Sequence, residues 1–243
     1  MLLSRVWDAV RLCERRGAPQ FVGFLDERQA ALAESEAKKA GCGRARCCGG
    51  YEDAERVILG IFPEDREPER SAFPIVPLTA AYRPCDRLTH RDFLGSLMAL
   101  GIERSTLGDV LVEDGRAVIF AHKDIAPYIL SQMEKVGRVG VALTEGAQNP
   151  YPSGRGFQRI EGTIPSMRLD AVIAAVLHIS REKSAALILS GQVQLRFTPA
   201  QSLSAQVGAG DKLSIRGYGR YTMEQIGVIT RKGRYKFSVR KYI

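Results

Sequence analysis

Apolar residues in the first sixteen positions, Leu2, Leu3, Val6, Val10 and Cys13, recur at helical spacing, and Gly17 with Pro19 punctuates the end of that helix. A second helix is expected over 24–40, where Leu25, Ala30, Leu32 and Ala37 sit among Glu and Lys. The glycine-rich stretch GCGRARCCGG at 41–50 reads as a tight loop into a short helix over 52–59. FPEDREPERSAFP at 62–74 sets three prolines among charged residues and reads as a linker, so residues 1–72 are expected to form a helical N-terminal region.

From 75 to 144 the hydrophobic period switches between two and 3.6. IVPLTAAY is strand-like, HRDFLGSLMALGI is an amphipathic helix, GDVLVED and RAVIFAH flank Gly115 as a hairpin, DIAPYILSQMEKV is helical and RVGVALTE is a last strand. That order, β-α-β-β-α-β, predicts a central ferredoxin-like (split βαβ, RRM-like) domain over 73–147. Its third strand carries only Phe120 where an RNA-stacking strand would carry several aromatics, so fold analogy alone does not make it a base-stacking surface.

QNPYPSGRGFQRIEGTIP at 148–165 reads as a Pro/Gly-rich hinge. Two helices follow, over 167–177 and 181–189, the second entered at Ser180 as N-cap and closed by Gly191. From Val193 the period is two, and YKFSVRKYI after the turn RKGR sets Tyr235, Phe237 and Val239 on one face and Lys236, Ser238 and Arg240 on the other. The whole reads as an α+β chain whose third module spans 160–243.

At 243 residues, 45% hydrophobic and 26% charged, the chain has the composition of a soluble globular protein. Even AVIAAVLHIS falls short of the about 20 apolar residues a membrane helix needs. The first residues lack an uninterrupted apolar core, and Asp8 and Glu14 argue against a transit peptide, so a cytoplasmic protein without membrane partners is expected. Five cysteines, an odd number unevenly clustered, fit a reducing compartment. The net charge of +8 is informative once divided: 12 Lys/Arg face 13 Asp/Glu in 1–72, 8 face 9 in 73–150, and 15 face 5 in 151–243. The surplus belongs to the last third, as expected of a module that meets a polyanion.

Catalytic signatures fail on spacing. Cys42, Cys47 and Cys48 give C-x4-C-C without the second pair that structural zinc requires, and no C-x-x-C is present for redox chemistry. No Lys-Ser or Lys-Thr follows the glycines, which excludes a Walker loop. HRD at 90–92 lacks the remaining kinase signatures and reads as a helix start with Asp92 near the favourable dipole. RLD at 168–170 imitates the catalytic aspartate motif of pseudouridine synthases, but within the two-helix unit Asp170 reads as a partner for Arg168. A non-enzyme without metal or cofactor is expected.

RLDAVIAAVLHISREKSAALILSGQVQLRF followed by VGAGDKLSIRGYGRY resembles the S4 RNA-binding domain over about 166–222. With GGYEDAER and HRDFLGSLMALGIERSTLGDVLV upstream, nearly the full chain resembles the YlmH-type S4 proteins. The resemblance implies a non-catalytic protein, monomeric when free, that binds rRNA and tRNA on the large ribosomal subunit in rescue or quality control of stalled translation. Arg168, Ser180, Arg181, Lys183 and Ser184 at the starts of two helices are candidate phosphate contacts. In Arg216, Gly217, Tyr218, Gly219 and Arg220 the glycines permit close approach and the tyrosine packs on a sugar or base, unless it points into the core. Arg231, Lys232 and Arg234 at a hairpin tip suit phosphate, or form a solvated turn. Arg196-Phe197 stands where many S4 domains have Asn-Gly, and Phe197 is not expected to supply glycine geometry. Two other readings stay open, an RNA-modifying enzyme that uses the S4 module for docking and, on charge alone, a binder of DNA or anionic membranes.

Overall fold

The computed structural model describes residues 2–52, 54–152, 157–231 and 233–242. The chain begins with α1 (Leu2–Arg16), β1 (Gln20–Leu25), α2 (Glu27–Lys39), β2 (Ala45–Cys48) and β3 (Val57–Ile61). Asp26 makes the corner between β1 and α2. Its carboxylate accepts the Gln29 N–H at 2.8 Å while Gln29 Oε1 accepts the Asp26 N–H at 3.0 Å, a capping box. The three strands form an antiparallel sheet in the order β1-β3-β2, and Val6, Val10 and Cys13 of α1 with Ala33 and Ala37 of α2 bury Val22, Leu59 and Ile61.

The N-terminal region is thus mixed rather than helical. The expected helix over 52–59 is replaced by the central strand β3, and the expected loop contributes β2 beside it. An apolar run of five carries no period of its own, and β-branched Val57, Ile58 and Ile61 suit a doubly covered strand. Gly60 allows the close packing, because a Cβ there would lie 2.6 Å from the Phe62 ring and 3.0 Å from that of Phe73.

Next come β4 (Ile75–Ala81), α3 (His90–Ala99), β5 (Leu107–Glu113), β6 (Arg116–His122), α4 (Ala126–Gln132), the small hairpin β7 (Lys135–Val136) and β8 (Val139–Gly140), and β9 (Ala142–Glu145). α3 opens at Thr89, whose N–H donates to Asp92 Oδ2 at 2.8 Å. The expected last strand is divided: RVGV belongs partly to the hairpin and only Ala142–Glu145 joins the sheet. That sheet is antiparallel in the order β5-β6-β4-β9. One face packs Leu78, Ala80 and Ile119 against Phe93 and Leu97 of α3 and Ile129 of α4. The other face packs Leu111, Val118 and Phe120 against Phe24, Ile58, Phe62 and Phe73. The stretch 62–74 is therefore no linker, since the phenylalanines near its two ends are buried in a core shared by both sheets. Residues 1–154 form one compact unit.

Asp109 fastens the loop before β3 to this unit. Its Oδ2 accepts the Tyr51 hydroxyl at 2.8 Å and the Glu55 N–H at 2.7 Å, while the Arg56 guanidinium donates to the carbonyls of Phe24, Leu107 and Arg104 at 2.8, 2.9 and 3.0 Å.

The second unit, 155–243, holds β10 (Phe157–Ile164), α5 (Leu169–Leu177), α6 (Arg181–Leu189), β11 (Val193–Leu195), β12 (Thr198–Pro199), β13 (Lys212–Ile215), β14 (Gly219–Ile229) and β15 (Tyr235–Tyr242). Its six strands form one antiparallel sheet, β10-β15-β14-β13-β11-β12. α5 and α6 cover one face, where Leu169, Val172, Ile173 and Ile188 meet Leu213, Ile215, Tyr221, Met223, Phe237 and Val239. Residues 157–164, expected within a hinge, are an edge strand paired along their length with β15. The chain is α+β in class.

Phe120 is fully buried between the two sheets of the first unit. Phe120→Ala should cost about 3–5 kcal/mol. The single tryptophan, Trp7, lies in the same unit, so its fluorescence in a urea titration reports the change. An unchanged midpoint would contradict the packing of one sheet between two cores.

Candidate nucleic-acid interface

The starts of α5 and α6 are tied together at Asp170, in the first turn of α5. The Ser184 hydroxyl, fully buried in α6, donates to the Asp170 carbonyl at 2.8 Å. The Asp170 carboxylate receives Arg168 Nε at 3.1 Å and Arg181 Nη2 at 2.6 Å. Its side chain is 8% exposed, against 40% for Arg168 and 55% for Arg181. Burial pushes the carboxyl upward, but the hydrogen bonds from Arg168 and Arg181 outweigh it and hold the group below the usual carboxylate range. Two cations on one carboxylate leave one positive charge at this contact, on side chains still open to solvent, and Glu182 on the first turn of α6 is set against Lys183 beside it.

Lys183 is exposed on the same first turn of α6, and Ser180 caps that helix by accepting the Lys183 N–H at 3.2 Å. Arg168, Ser180, Arg181 and Lys183 therefore come together. Ser184 does not belong with them, because its buried hydroxyl is spent on a backbone carbonyl, and a small residue is needed there to let two helices approach. Sequence spacing pointed to the Arg168–Asp170 contact but not to Arg181 as the second cation, because that partner comes from the other helix.

The turn between β13 and β14 presents the second group. Gly217 and Gly219 take φ of +84° and +108°, and the Tyr218 N–H donates to the Ile215 carbonyl at 3.0 Å. Tyr218 projects to solvent at 43% exposure, and Arg216 and Arg220 are exposed on either side. The alternative with Tyr218 in the core does not hold; Tyr221 fills that place and donates its hydroxyl to the Tyr218 carbonyl at 2.9 Å.

At the β14–β15 tip Arg231 is exposed, Lys232 lies outside the described residues, and Arg234 donates to Thr163 Oγ1 and its carbonyl at 3.1 and 2.9 Å. β14 lies between this tip and the Gly217–Gly219 turn, and its eleven residues separate them by roughly 30 Å. The candidates thus occupy three places rather than one.

The turn after β11 departs from expectation. Arg196 and Phe197 take φ of 51° and 65°, so the left-handed geometry is present without glycine. Such conformations cost about 1–2 kcal/mol per residue. Arg196 offsets this by bonding both oxygens of Asp211, at 2.5 and 2.7 Å, and the Gln206 carbonyl at 3.1 Å.

Elsewhere the chemistry is structural. Burial pushes the Cys47 thiol far up, with Glu34 beside it adding to the shift, so the group stays protonated. Among the described residues no group of three or more His, Cys, Asp or Glu is placed to hold a metal ion. Phe120 stacks under Tyr51 with ring centroids 4.9 Å apart and planes 25° off parallel, so the one aromatic of that strand is closed to bases.

Residues 68–149 match a family model described as a putative RNA-binding domain in YlmH. Over 230 residues the chain is 30% identical to a Bacillus subtilis (strain 168) protein named ribosome-associated protein quality control protein P2, a match covering 93% of this chain and 88% of that one. Among solved structures it is similar to the cell division protein ylmH from Streptococcus pneumoniae, with a TM-score of 0.51 and 26% identity over 60% of this chain and 89% of the other.

Because the Asp170 carboxyl is depressed in the fold, its contribution to stability is present above the unfolded range near about pH 4 and is lost as pH falls through the folded value. Hydrogen-exchange protection of the α5 and α6 amides should therefore fall in acid. Asp170→Asn should remove much of that acid sensitivity and cost about 2–3 kcal/mol at neutral pH, where two arginines lose their counter-charge. Equal protection in both proteins at pH 7 would contradict the clamp.

Proposed function

The chain belongs to the YlmH family, and from that premise we propose that it is a non-catalytic protein that binds structured rRNA and tRNA on the large ribosomal subunit, in rescue or quality control of stalled translation. A ribosome-associated, RNA-binding role follows from the family; the named RNAs and the subunit are the finer reading. In that reading residues 160–243 are an S4 module and 73–147 a ferredoxin-like domain, the protein acts in the cytoplasm, and it is monomeric when free.

The observation that carries the reading is the Arg168–Asp170–Arg181 clamp. It holds two guanidinium groups at fixed positions beside Lys183 and the α6 N-terminus, an arrangement suited to phosphate oxygens. The charge supports it, since 155–243 holds 15 Lys/Arg against 5 Asp/Glu. A clamp of this kind recognises the shape and spacing of a backbone rather than base edges. The alternative in which the module docks an RNA-modifying enzyme gains nothing from Asp170, whose carboxylate is already engaged by two arginines. No helix among the described residues is long and apolar enough to cross a membrane.

The clamp also determines how the reading is tested. Reversing both arginines to glutamate would face two new acids onto a buried carboxylate and unfold the unit. Arg168→Gln with Asp170→Asn and Arg181→Gln removes the cations without leaving a buried charge unpaired. In co-sedimentation with separated subunits at moderate salt, the parent should pellet with large subunits only, and the triple variant should bind roughly tenfold more weakly. Equal binding of the parent to both subunits, lost together as salt rises, would mean a general polyanion patch and overturn the reading.

A further inference from the structure

The turn between β13 and β14 is a three-residue tip, since Ile215 and Gly219 are the last pair of the two strands and Arg216, Gly217 and Tyr218 lie between them. Its backbone is held at three points. The Arg216 N–H donates to the Gln192 carbonyl at 2.9 Å, the Tyr218 N–H donates to the Ile215 carbonyl at 3.0 Å, and the Tyr218 carbonyl accepts the hydroxyl of the buried Tyr221 at 2.9 Å. A fixed backbone leaves the Tyr218 ring only its two side-chain rotations, so little freedom is lost when a flat ligand settles on it.

The ring is also open. Tyr218 is exposed, whereas Phe197, Tyr235 and Tyr242 are half-buried and Tyr221 and Phe237 are buried. Beside it the glycines keep space clear: a Cβ at Gly217 would meet nothing within 4 Å, and the positive φ there disfavours any residue that would fill the gap.

The charge around the tip is uncompensated. Of the carboxylates in the second unit, Asp170 is held by Arg168 and Arg181, Asp211 by Arg196 and Glu224 by Arg240, while Glu161 lies 3.3 Å from Arg159. Glu182 stands on the first turn of α6. The Arg216 bond to Gln192 sets the tip beside the other end of that helix, about 10 Å away along its axis. Arg216 and Arg220 make no ion pair among the described residues. A third cation, Lys241, is close by, with its Cε 3.9 Å from the position of a Cβ at Gly219. A tyrosine that anchors a protein interface sits within a ring of groups that exclude water. Here its neighbours are cations in solvent.

We propose that Tyr218 stacks on an unpaired RNA base, with Arg216 and Arg220 on the phosphates to either side of that nucleotide. This rests on the RNA-binding reading above and adds a second demand to it. In a paired helix both faces of a base are covered by its neighbours, so an exposed ring stacks only on a nucleotide turned out of the helix. Every base has such a face, so the contact is blind to sequence. The clamp at the α6 start meets backbone, and the tip near the α6 end requires a bulge or loop beside it.

The variants Tyr218→Ala, Tyr218→Phe, Arg216→Gln with Arg220→Gln, and the clamp triple variant test this, with circular dichroism as the check on folding. Affinity for isolated large ribosomal subunits is measured across a salt series. Complexes of the parent are also irradiated with ultraviolet light, digested with nuclease and protease, and read by mass spectrometry. Tyr218→Ala should bind roughly tenfold more weakly with the parental slope of log K against log salt, and Tyr218→Phe should keep the parental affinity. The arginine pair should lower the slope by about 1.4, the share of two phosphate contacts on a single strand, and the parent should carry a nucleotide adduct on Tyr218. Parental affinity of Tyr218→Ala, with weakened binding by the clamp variant, would overturn the stacking and leave the RNA-binding reading standing. Tyr218→Phe as weak as Tyr218→Ala would assign the contact to the hydroxyl and overturn it too. So would weak binding by Tyr218→Ala when the parent's Tyr218 carries a ribosomal-protein adduct or none. Parental behaviour of every variant would overturn both readings.

Discussion

A carboxylate buried among apolar side chains must be given counter-charge, and in the C-terminal unit Asp170 imposes that requirement. It draws Arg168 from before α5 and Arg181 from the start of α6, while its backbone carbonyl takes the Ser184 hydroxyl. The two helices are thereby fixed at their starts, and the apolar faces that cover the sheet follow from their orientation. The arginines that satisfy this folding requirement are also the ones that leave positive charge at the surface. In the proposed reading stability and RNA binding are therefore coupled through one group, and no substitution of either arginine would act on binding alone.

The first unit solves a different constraint. Its four-stranded sheet is apolar on both faces, with α3 and α4 on one side and the N-terminal β1-β3-β2 layer on the other. Asp109 holds the intervening loop by accepting from Tyr51 and Glu55. The Tyr51 ring then covers Phe120, so the surface that analogous sheets use for stacking bases is here part of a core. This explains why GGYEDAER is a recognisable segment of the chain: Tyr51, Glu55 and Arg56 all bind across to the central sheet.

Much of the fold was legible where pattern and local chemistry agree. Ser180 capping α6, the alternation in 235–242 and the hairpin at Gly115 follow from rules that act over a few residues. The errors arose where tertiary burial decides. VILGI is too short to show a period, and only its position between two layers makes it a strand. The charged, proline-rich stretch 62–74 resembles a linker because its buried residues, Phe62, Phe73 and Pro74, stand at the two ends. Ser184 looked like a donor because spacing cannot report that α5 lies directly over it. Phe197 adopts left-handed backbone because Arg196 beside it is held by Asp211, fifteen residues away.

In the proposed reading RNA meets the second unit. Lysine reactivity toward an acetylating reagent, read by mass spectrometry on the free protein and on the protein bound to large ribosomal subunits, tests it directly. RNA contact at the helix starts predicts protection of Lys183 on binding, with Lys38, Lys39, Lys123 and Lys135 unchanged. Protection confined to the first-unit lysines, with those of the second unit as reactive as in the free protein, would contradict it.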